Sequence, residues 1–322
     1  MEYLELQLPE NVQKIITTLQ MYGYEAYAVG GCVRDSLLNR TPGDWDITTS
    51  AMPEETKSLF DKTFDTGIEH GTVTVVFGRE GYEVTTYRID GEYTDSRHPR
   101  EVTFTRSLKE DLLRRDFTIN AMAYNDKDGL IDIFGGKEDL QRKCIRCVGN
   151  AKERFSEDAL RILRGVRFAA QLGFDISEDT KEGMRELAPT LRNISAERIQ
   201  VELVKMLTSD RPELLKMAWE LKITQIFLPE FDRMMETIQE TPEQPEKEER
   251  LIGRIFVEYR KGRNKGGKQT FGGITAQKIP RLGYGEEEIP WVWILVFAGS
   301  TSLLMLCFVK QIWERKRKNG KK

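Results

Sequence analysis

Histidine and cysteine are both scarce, with two and four copies in 322 residues. A structural zinc needs about four sulfur or imidazole ligands. The spacing Cys144-x-x-Cys147 invites that reading, but His70, His98, Cys32 and Cys307 lie in unrelated settings, so the spacing is coincidental. No framework of paired cysteines points to an oxidising compartment. The opening residues Met1-Glu2-Tyr3-Leu4-Glu5 lack the basic region and apolar stretch of an export signal, so the N-terminal part is expected to stay in the cytoplasm. A surplus of one charge is missing as well. With a formal net charge of −3, any nucleic-acid partner must be met by local basic patches rather than by the whole-molecule field. Long low-complexity tracts are absent too. Hydrophobic and charged shares of 39% and 31% are ordinary for a folded chain, and the length allows two or three domains.

What is present divides along the chain. Val12, Ile15, Ile16 and Leu19 fall at helical spacing before Gly23, and the apolar run Ala26 to Val29 is ended by Gly30-Gly31, with Val33 to Leu38 helical behind it. Asp46-Ile47 belongs to a short strand, and a helix starts at Pro53. Thr72 to Phe77 and Tyr82 to Tyr87 alternate as strands. Asp90 to Arg100 is polar and loop-like, Val102 to Thr105 is strand-like, and Leu108 to Tyr124 is read as a helix. After Gly149 helical period takes over, through Ala159 to Ala170, Met184 to Leu191, Ile199 to Leu207 and Leu214 to Leu221. The expectation is an α+β fold: a mixed-sheet head over residues 1–150 and an all-α neck over 151–238.

Beyond Ile238 the run Glu240 to Arg250 is rich in Pro and Glu, and Lys261 to Gly273 in Gly, Lys and Arg, so 239–288 reads as a flexible linker. Ile289 to Val309 then holds no charge over about 20 residues, the length a bilayer core requires. Trp291, Trp293 and Trp313 sit near its two ends, and a basic tail, 311–322, follows. A single transmembrane helix at 289–310 is expected, anchoring the cytoplasmic part to a membrane. Glu286 to Glu288 before the run and Lys310 to Lys322 after it put the C-terminus inside by the positive-inside rule, which conflicts with a cytoplasmic N-terminal part.

The strongest constellation is Gly30-Gly31-Cys32-Val33-Arg34-Asp35 followed by Gly43-Asp44-Trp45-Asp46. Residues two apart on a strand point to the same side, so Asp44 and Asp46 present paired carboxylates at a strand end. Mg²⁺ takes hard oxygen ligands, often one or two carboxylates plus substrate phosphates. Ions held there would polarise an attacking hydroxyl and neutralise a leaving pyrophosphate. Upstream, the glycine pair lets the backbone approach a triphosphate, helix amides can donate to it, and Arg34 supplies charge. Each piece alone has a bland reading, a chance Asp-x-Asp or a tight turn.

Together and in this order the pieces resemble the DNA polymerase β nucleotidyltransferase superfamily, and more narrowly the class II tRNA nucleotidyltransferases: CCA-adding enzymes and their poly(A) polymerase relatives. Further matches carry the resemblance: Glu83-Val84-Thr85-Thr86-Tyr87-Arg88, Arg114-Arg115-Asp116-Phe117-Thr118-Ile119-Asn120-Ala121, Glu157-Asp158-Ala159-Leu160-Arg161 and Glu197-Arg198-Ile199. The resemblance implies a template-independent enzyme adding C and A from CTP and ATP to the 3′ end of tRNA, with Asp44 and Asp46 as Mg²⁺ ligands and Glu83 as a third carboxylate. It implies that Arg114, Arg115, Asp116 and Asn120 recognise ribose and triphosphate, alongside Gly30, Gly31, Arg34, Arg164 and Arg167. Asp158 and Arg161 would read the incoming base. A carboxylate only accepts and a guanidinium only donates, which suits the exocyclic amine and ring acceptor of cytosine and adenine and opposes uracil and guanine. The bland reading of that pair is an i, i+3 salt bridge on a helix.

Asp90 to Arg100, with Asp95, Ser96 and Arg97, resembles the loop such enzymes use when switching from C to A, and His70-Gly71-Thr72-Val73 looks more like a CCA-adding enzyme than a poly(A) polymerase. The family's helical body and tail domains are not recognisable after Leu228-Pro229-Glu230-Phe231. Two other readings therefore stay open: a poly(A) polymerase, and a membrane-tethered chain that binds nucleotide or RNA without turnover.

Overall fold

Alternating and β-branched runs pair here into one seven-stranded mixed sheet with two small two-stranded ones beside it. The computed structural model describes residues 6–91, 102–229, 231, 232 and 235. The expected linker, transmembrane segment and basic tail lie outside the described residues, as do Asp95, Ser96 and Arg97 of the polar loop. Among the described residues no helix is long and apolar enough to cross a membrane.

Helix α1 (Glu10–Met21) buries Val12, Ile15, Ile16 and Leu19, the face read from the sequence. Strand β1 (Ala26–Val29), buried throughout, runs through the Gly30 turn into α2 (Gly31–Leu37). Next come β2 (Ile47–Thr49), α3 (Pro53–Leu59), β3 (Thr63–Gly67), β4 (Thr72–Phe77) and β5 (Glu80–Thr86). A short antiparallel pair, β6 (Arg88–Asp90) and β7 (Val102–Phe104), precedes α4 (Leu108–Leu113). The head continues with β8 (Met122–Asn125), β9 (Gly129–Asp132), α5 (Gly136–Gln141) and the two-residue β10 (Cys144–Ile145).

The seven-stranded sheet has the order β3-β4-β5-β2-β1-β8-β9. Only β2 and β5 pair in parallel, with Ile47 opposite Val84; the other neighbours are antiparallel. The inward side chains Ile47, Val73, Val75 and Val84 are buried, as the period-2 pattern requires.

The expected helix from Leu108 to Tyr124 does not run through. It ends at Leu113, one 3₁₀ turn occupies Thr118–Asn120, and β8 follows. The apolar spacing at Leu112, Leu113, Phe117 and Ile119 fits a helix, but pairing of β8 with β1, Ala28 opposite Tyr124, decides the conformation. Asp116 stops the chain locally by accepting from the Phe117 N–H at 2.8 Å.

In the helical part, α6 (Ala151–Glu157) and α7 (Leu160–Leu172) are separate elements, followed by β11 (Asp175–Ile176), which pairs with β10, and α8 (Glu178–Leu187). The Asn150 side chain caps α6 by accepting from Lys152 and Glu153 N–H. Residues up to Ile194 form one compact unit, which includes these helices, and Ser195 onward a second. In the second unit α9 (Ala196–Leu207) buries Ile199, Leu203 and Met206, and α10 (Leu215–Glu220) and α11 (Thr224–Phe227) follow.

Candidate active site

The site is built where β1 ends. Gly30 has φ +83°, a conformation that L side chains rarely adopt, and an added Cβ would lie 3.1 Å from Arg115 Nη1. The Val29 N–H donates to the Asp46 carbonyl at 3.0 Å, and the Gly30 N–H to the Met122 carbonyl at 3.1 Å. These bonds tie the Asp46 backbone and the start of β8 to the glycine turn. Strand β2 starts only at Ile47, so Asp44 and Asp46 sit on the segment entering the strand rather than within it.

Asp46 opens onto the cleft, yet its pKa is pushed up to about 6. Lost hydration among the surrounding groups is the largest cause; the charges of Asp44 and Glu83 add to it, and Arg115 opposes it. Two carboxylates therefore crowd a third. Among the described residues no group of three His, Cys, Asp or Glu side chains could by itself hold a metal ion. The cleft, about 180 Å³, is lined by the charged Asp46, Glu83, Arg88, Arg114 and Arg115 together with Val29, Ile47, Thr72 and Thr85. Carboxylates and guanidinium groups lining one cleft can hold cations and phosphates side by side.

Asp111, which sequence reading passed over, organises Arg114 and Arg115. Fully buried, its Oδ1 accepts from Arg114 Nε and Nη2 at 2.9 and 2.7 Å, and its Oδ2 from Arg115 Nη2 and Thr48 Oγ1, each at 3.2 Å. Burial alone would raise its pKa; Arg115 and Arg114 hold it below the usual carboxylate range. The only sequence signal was its position three and four residues before Arg114 and Arg115, which follow the end of α4; that spacing reads equally well as a solvated helix face.

A second network joins residues far apart in sequence. Arg34 Nη1 donates to Asn120 Oδ1 at 2.6 Å, and Asn120 Nδ2 donates to Asp116 Oδ1 at 3.1 Å. Asp116 Oδ2 accepts from Arg164 Nε at 2.8 Å and pairs with Arg164 Nη2 at 2.6 Å. Burial would raise the Asp116 pKa, but Arg164, the Asn120 hydrogen bond and Arg161 bring it down to about 2. Asp116 and Asn120 thus meet as expected, across a turn rather than along a helix. Phe168, also missed, lies beneath three guanidinium groups, with Arg34, Arg164 and Arg167 at 5.1, 5.4 and 4.0 Å from its ring centroid.

Asp158 and Arg161 do not share a continuous helix. Asp158 lies in extended backbone between α6 and α7, where its Oδ1 accepts from the Leu160 N–H at 3.0 Å. Arg161 opens α7; its Nη1 meets Glu157 Oε2 at 2.6 Å and the Arg154 carbonyl at 3.1 Å, and its Nη2 meets the Arg114 carbonyl at 3.0 Å. The last bond fixes Arg161 against the segment that carries Arg114 and Arg115. Arg167 also donates to Gln171 Oε1 at 3.0 Å.

Residues 26–146 match the model of the poly(A) polymerase head domain, and residues 173–235 match that of a probable RNA and SrmB binding site of polymerase A. A CCA-adding enzyme of Leuconostoc mesenteroides is 53% identical over 204 residues, covering 62% of this chain and 51% of that protein. The crystal structure of the Bacillus stearothermophilus CCA-adding enzyme in complex with CTP superposes with a TM-score of 0.61 at 47% identity, over 66% of this chain and 51% of that one. A tRNA nucleotidyltransferase complexed with a primer tRNA and an incoming ATP analogue gives a TM-score of 0.56 at 33% identity, over 66% of this chain and 62% of that one. The chain spans about half the length of the curated relatives it matches.

Proposed function

The chain belongs to the family of poly(A) polymerase heads and CCA-adding enzymes, and from that membership we propose that it is a metal-dependent RNA nucleotidyltransferase adding C and A, from CTP and ATP, to the 3′ end of tRNA with release of pyrophosphate. The observation that carries this reading is the crowding of Asp44, Asp46 and Glu83 beside the Gly30 turn, facing Arg115. A hard divalent cation relieves that repulsion, so the donor set fits Mg²⁺ held by Asp44 and Asp46. When bound, such an ion makes the RNA 3′ hydroxyl a better nucleophile and offsets charge on the leaving pyrophosphate.

The protein's own groups do the rest. Gly30 and Gly31 leave room for the triphosphate against the backbone, and Arg34, Arg114 and Arg115 meet its charge. Asp111 presets Arg114 and Arg115, which removes an ordering cost from substrate binding. Asp116 and Asn120 orient the ribose, with Arg164 and Arg167 closing the network. Asp158 and Arg161 read the base, Asp158 accepting from the exocyclic amine and Arg161 donating to the ring acceptor of cytosine or adenine. In this reading residues 1–150 are the head, 151–238 the neck and 239–288 a linker. A membrane tether through Ile289 to Val309 rests on its uncharged length, the tryptophans near its ends and the basic tail behind it, and extraction of the chain from membranes by alkaline carbonate would remove it.

The test is incorporation by the full chain on tRNA ending before CCA, with each of the four nucleoside triphosphates. The proposal expects CTP and ATP to be used in order and UTP and GTP to be refused. Long tails from ATP alone on unrelated RNAs would make the chain a poly(A) polymerase, and binding without product would remove catalysis from the account.

A further inference from the structure

The outer face of the sheet carries a row of residues that the cleft uses at one end only. Phe64 on β3 is opposite Thr74 on β4, and Thr74 is opposite Glu83 on β5. Ile47 on β2 is opposite Val84, so Asp46, one residue earlier, extends the same row beyond Glu83. Cross-strand partners share a face, and successive residues alternate faces. Ile47, Val73 and Val84 are buried on the inner side, which puts Phe64, Thr74, Glu83 and Asp46 on the outer one. At the Asp46 end the row runs into the cleft that Arg114 and Arg115 line; at the other end Phe64 is 54% exposed on the sheet edge. Hydroxyl pairs line the way, Thr66 with Thr74 at 2.8 Å and Thr72 with Thr85 at 3.0 Å. Lys62 Nζ stands 5.8 Å from the centroid of the Phe64 ring.

We infer that this row is the track along which the single-stranded 3′ end of the RNA reaches the carboxylates, with Phe64 stacking a base upstream of the reacting end and Lys62 meeting the adjoining phosphate. The inference rests on the reading of the cleft as a nucleotidyl-transfer site. Three strand spacings separate Phe64 from Asp46, about 14 Å at roughly 4.8 Å each. A nucleic-acid strand covers that in roughly two to four nucleotides, depending on how far it is stretched beyond its ~3.4 Å stacked rise. Neutral hydroxyls can accept from and donate to sugars and bases without selecting a sequence. A folded protein partner needs a continuous apolar patch; one ring set among threonines offers instead the flat face that a splayed base stacks on. The row is continuous in register with the cleft, so an RNA held on it is aimed at Asp46.

Phe64 is exposed and on an edge strand, so its replacement leaves the core intact. In the full chain, Phe64→Ala is expected to raise the KM for tRNA ending before CCA about tenfold, with KM for CTP and the melting temperature unchanged. Phe64→Trp should restore the KM, and its indole emission should be quenched by a short single-stranded oligoribonucleotide; Lys62→Ala should weaken RNA binding and flatten its salt dependence. A KM for tRNA within twofold of wild type in Phe64→Ala overturns the inference. If the wild-type chain adds no nucleotide, the function proposed above fails first and the track is judged by the Trp quench alone, read as the difference between Phe64→Trp and the wild-type chain with its own five tryptophans: extra quenching by oligoribonucleotide supports it, and none removes it.

Discussion

Asp116 offers the sharpest energetic test, because it is buried, ionised and bonded on both oxygens. Its folded-state pKa of about 2 lies below the 3.8 of a free side chain. A depressed carboxylate pKa stabilises the fold above the unfolded value, and that contribution is lost as pH falls through the folded one. At about 1.4 kcal/mol per pKa unit, the ionised form contributes about 2 kcal/mol at neutral pH. Asp116→Asn replaces the charge with an amide that can satisfy Arg164 only in part, and breaking a buried pair costs about 3–5 kcal/mol. The variant is therefore expected to lose roughly 3 kcal/mol at pH 7. That loss should hold down to about pH 4 and shrink between 4 and 2, where the wild-type side chain takes up its proton. Urea unfolding followed by far-UV circular dichroism across this range measures the difference directly. A loss below about 1 kcal/mol at pH 7, or one that does not change with pH, would refute the reasoning.

Three further outcomes follow from the same structure. Asp46 has the opposite sign: its raised pKa of about 6 makes its ionisation cost stability, a cost absent near pH 4 and complete above 6. Asp46→Asn should thus melt higher than wild type at pH 8 without divalent ions, while losing nucleotide addition. Gly30→Ala meets both a Gly-only backbone and Arg115 Nη1 at 3.1 Å, so a loss of about 1–3 kcal/mol in denaturant unfolding is expected, with a raised KM for nucleotide. Asp158→Ala removes the acceptor proposed for the exocyclic amine, and the preference for CTP over UTP should fall by roughly 10- to 100-fold in competition assays, beyond the small loss of stability expected from the missing bond to the Leu160 amide.

The sequence pattern and the structure agree in some elements and part in others. The apolar run ending in Gly30-Gly31 and the alternation in Thr72 to Phe77 announced β1, α2 and β4, because local pattern and final burial agree there. Strand β3, Thr-Phe-Asp-Thr-Gly, escaped notice: it is an edge strand with mostly exposed side chains, so it has no apolar period. The stretch from Leu108 to Tyr124 misled because its apolar spacing suits a helix, and only the partner strand β1, nearly a hundred positions earlier in the chain, reveals β8. Individual site residues could be named from motifs, but their connections could not. Nothing in the order of residues says that Arg34 bonds Asn120, that Asp111 binds two arginines at once, or that Phe168 lies under three guanidinium groups. Asp158 and Arg161, three apart, looked like one helical face; the break between α6 and α7 turns Asp158 to the Leu160 amide instead.

The central claim is that Asp44 and Asp46 hold a divalent ion against a triphosphate, and direct titration of Mn²⁺ by electron paramagnetic resonance, with CTP present, tests it most closely. Wild type should take up the ion with a lowered affinity below about pH 6, where Asp46 is protonated, and Asp44→Ala and Asp46→Ala should each abolish the protein-dependent signal. Uptake that is unchanged in both variants would place the ion elsewhere and contradict the account.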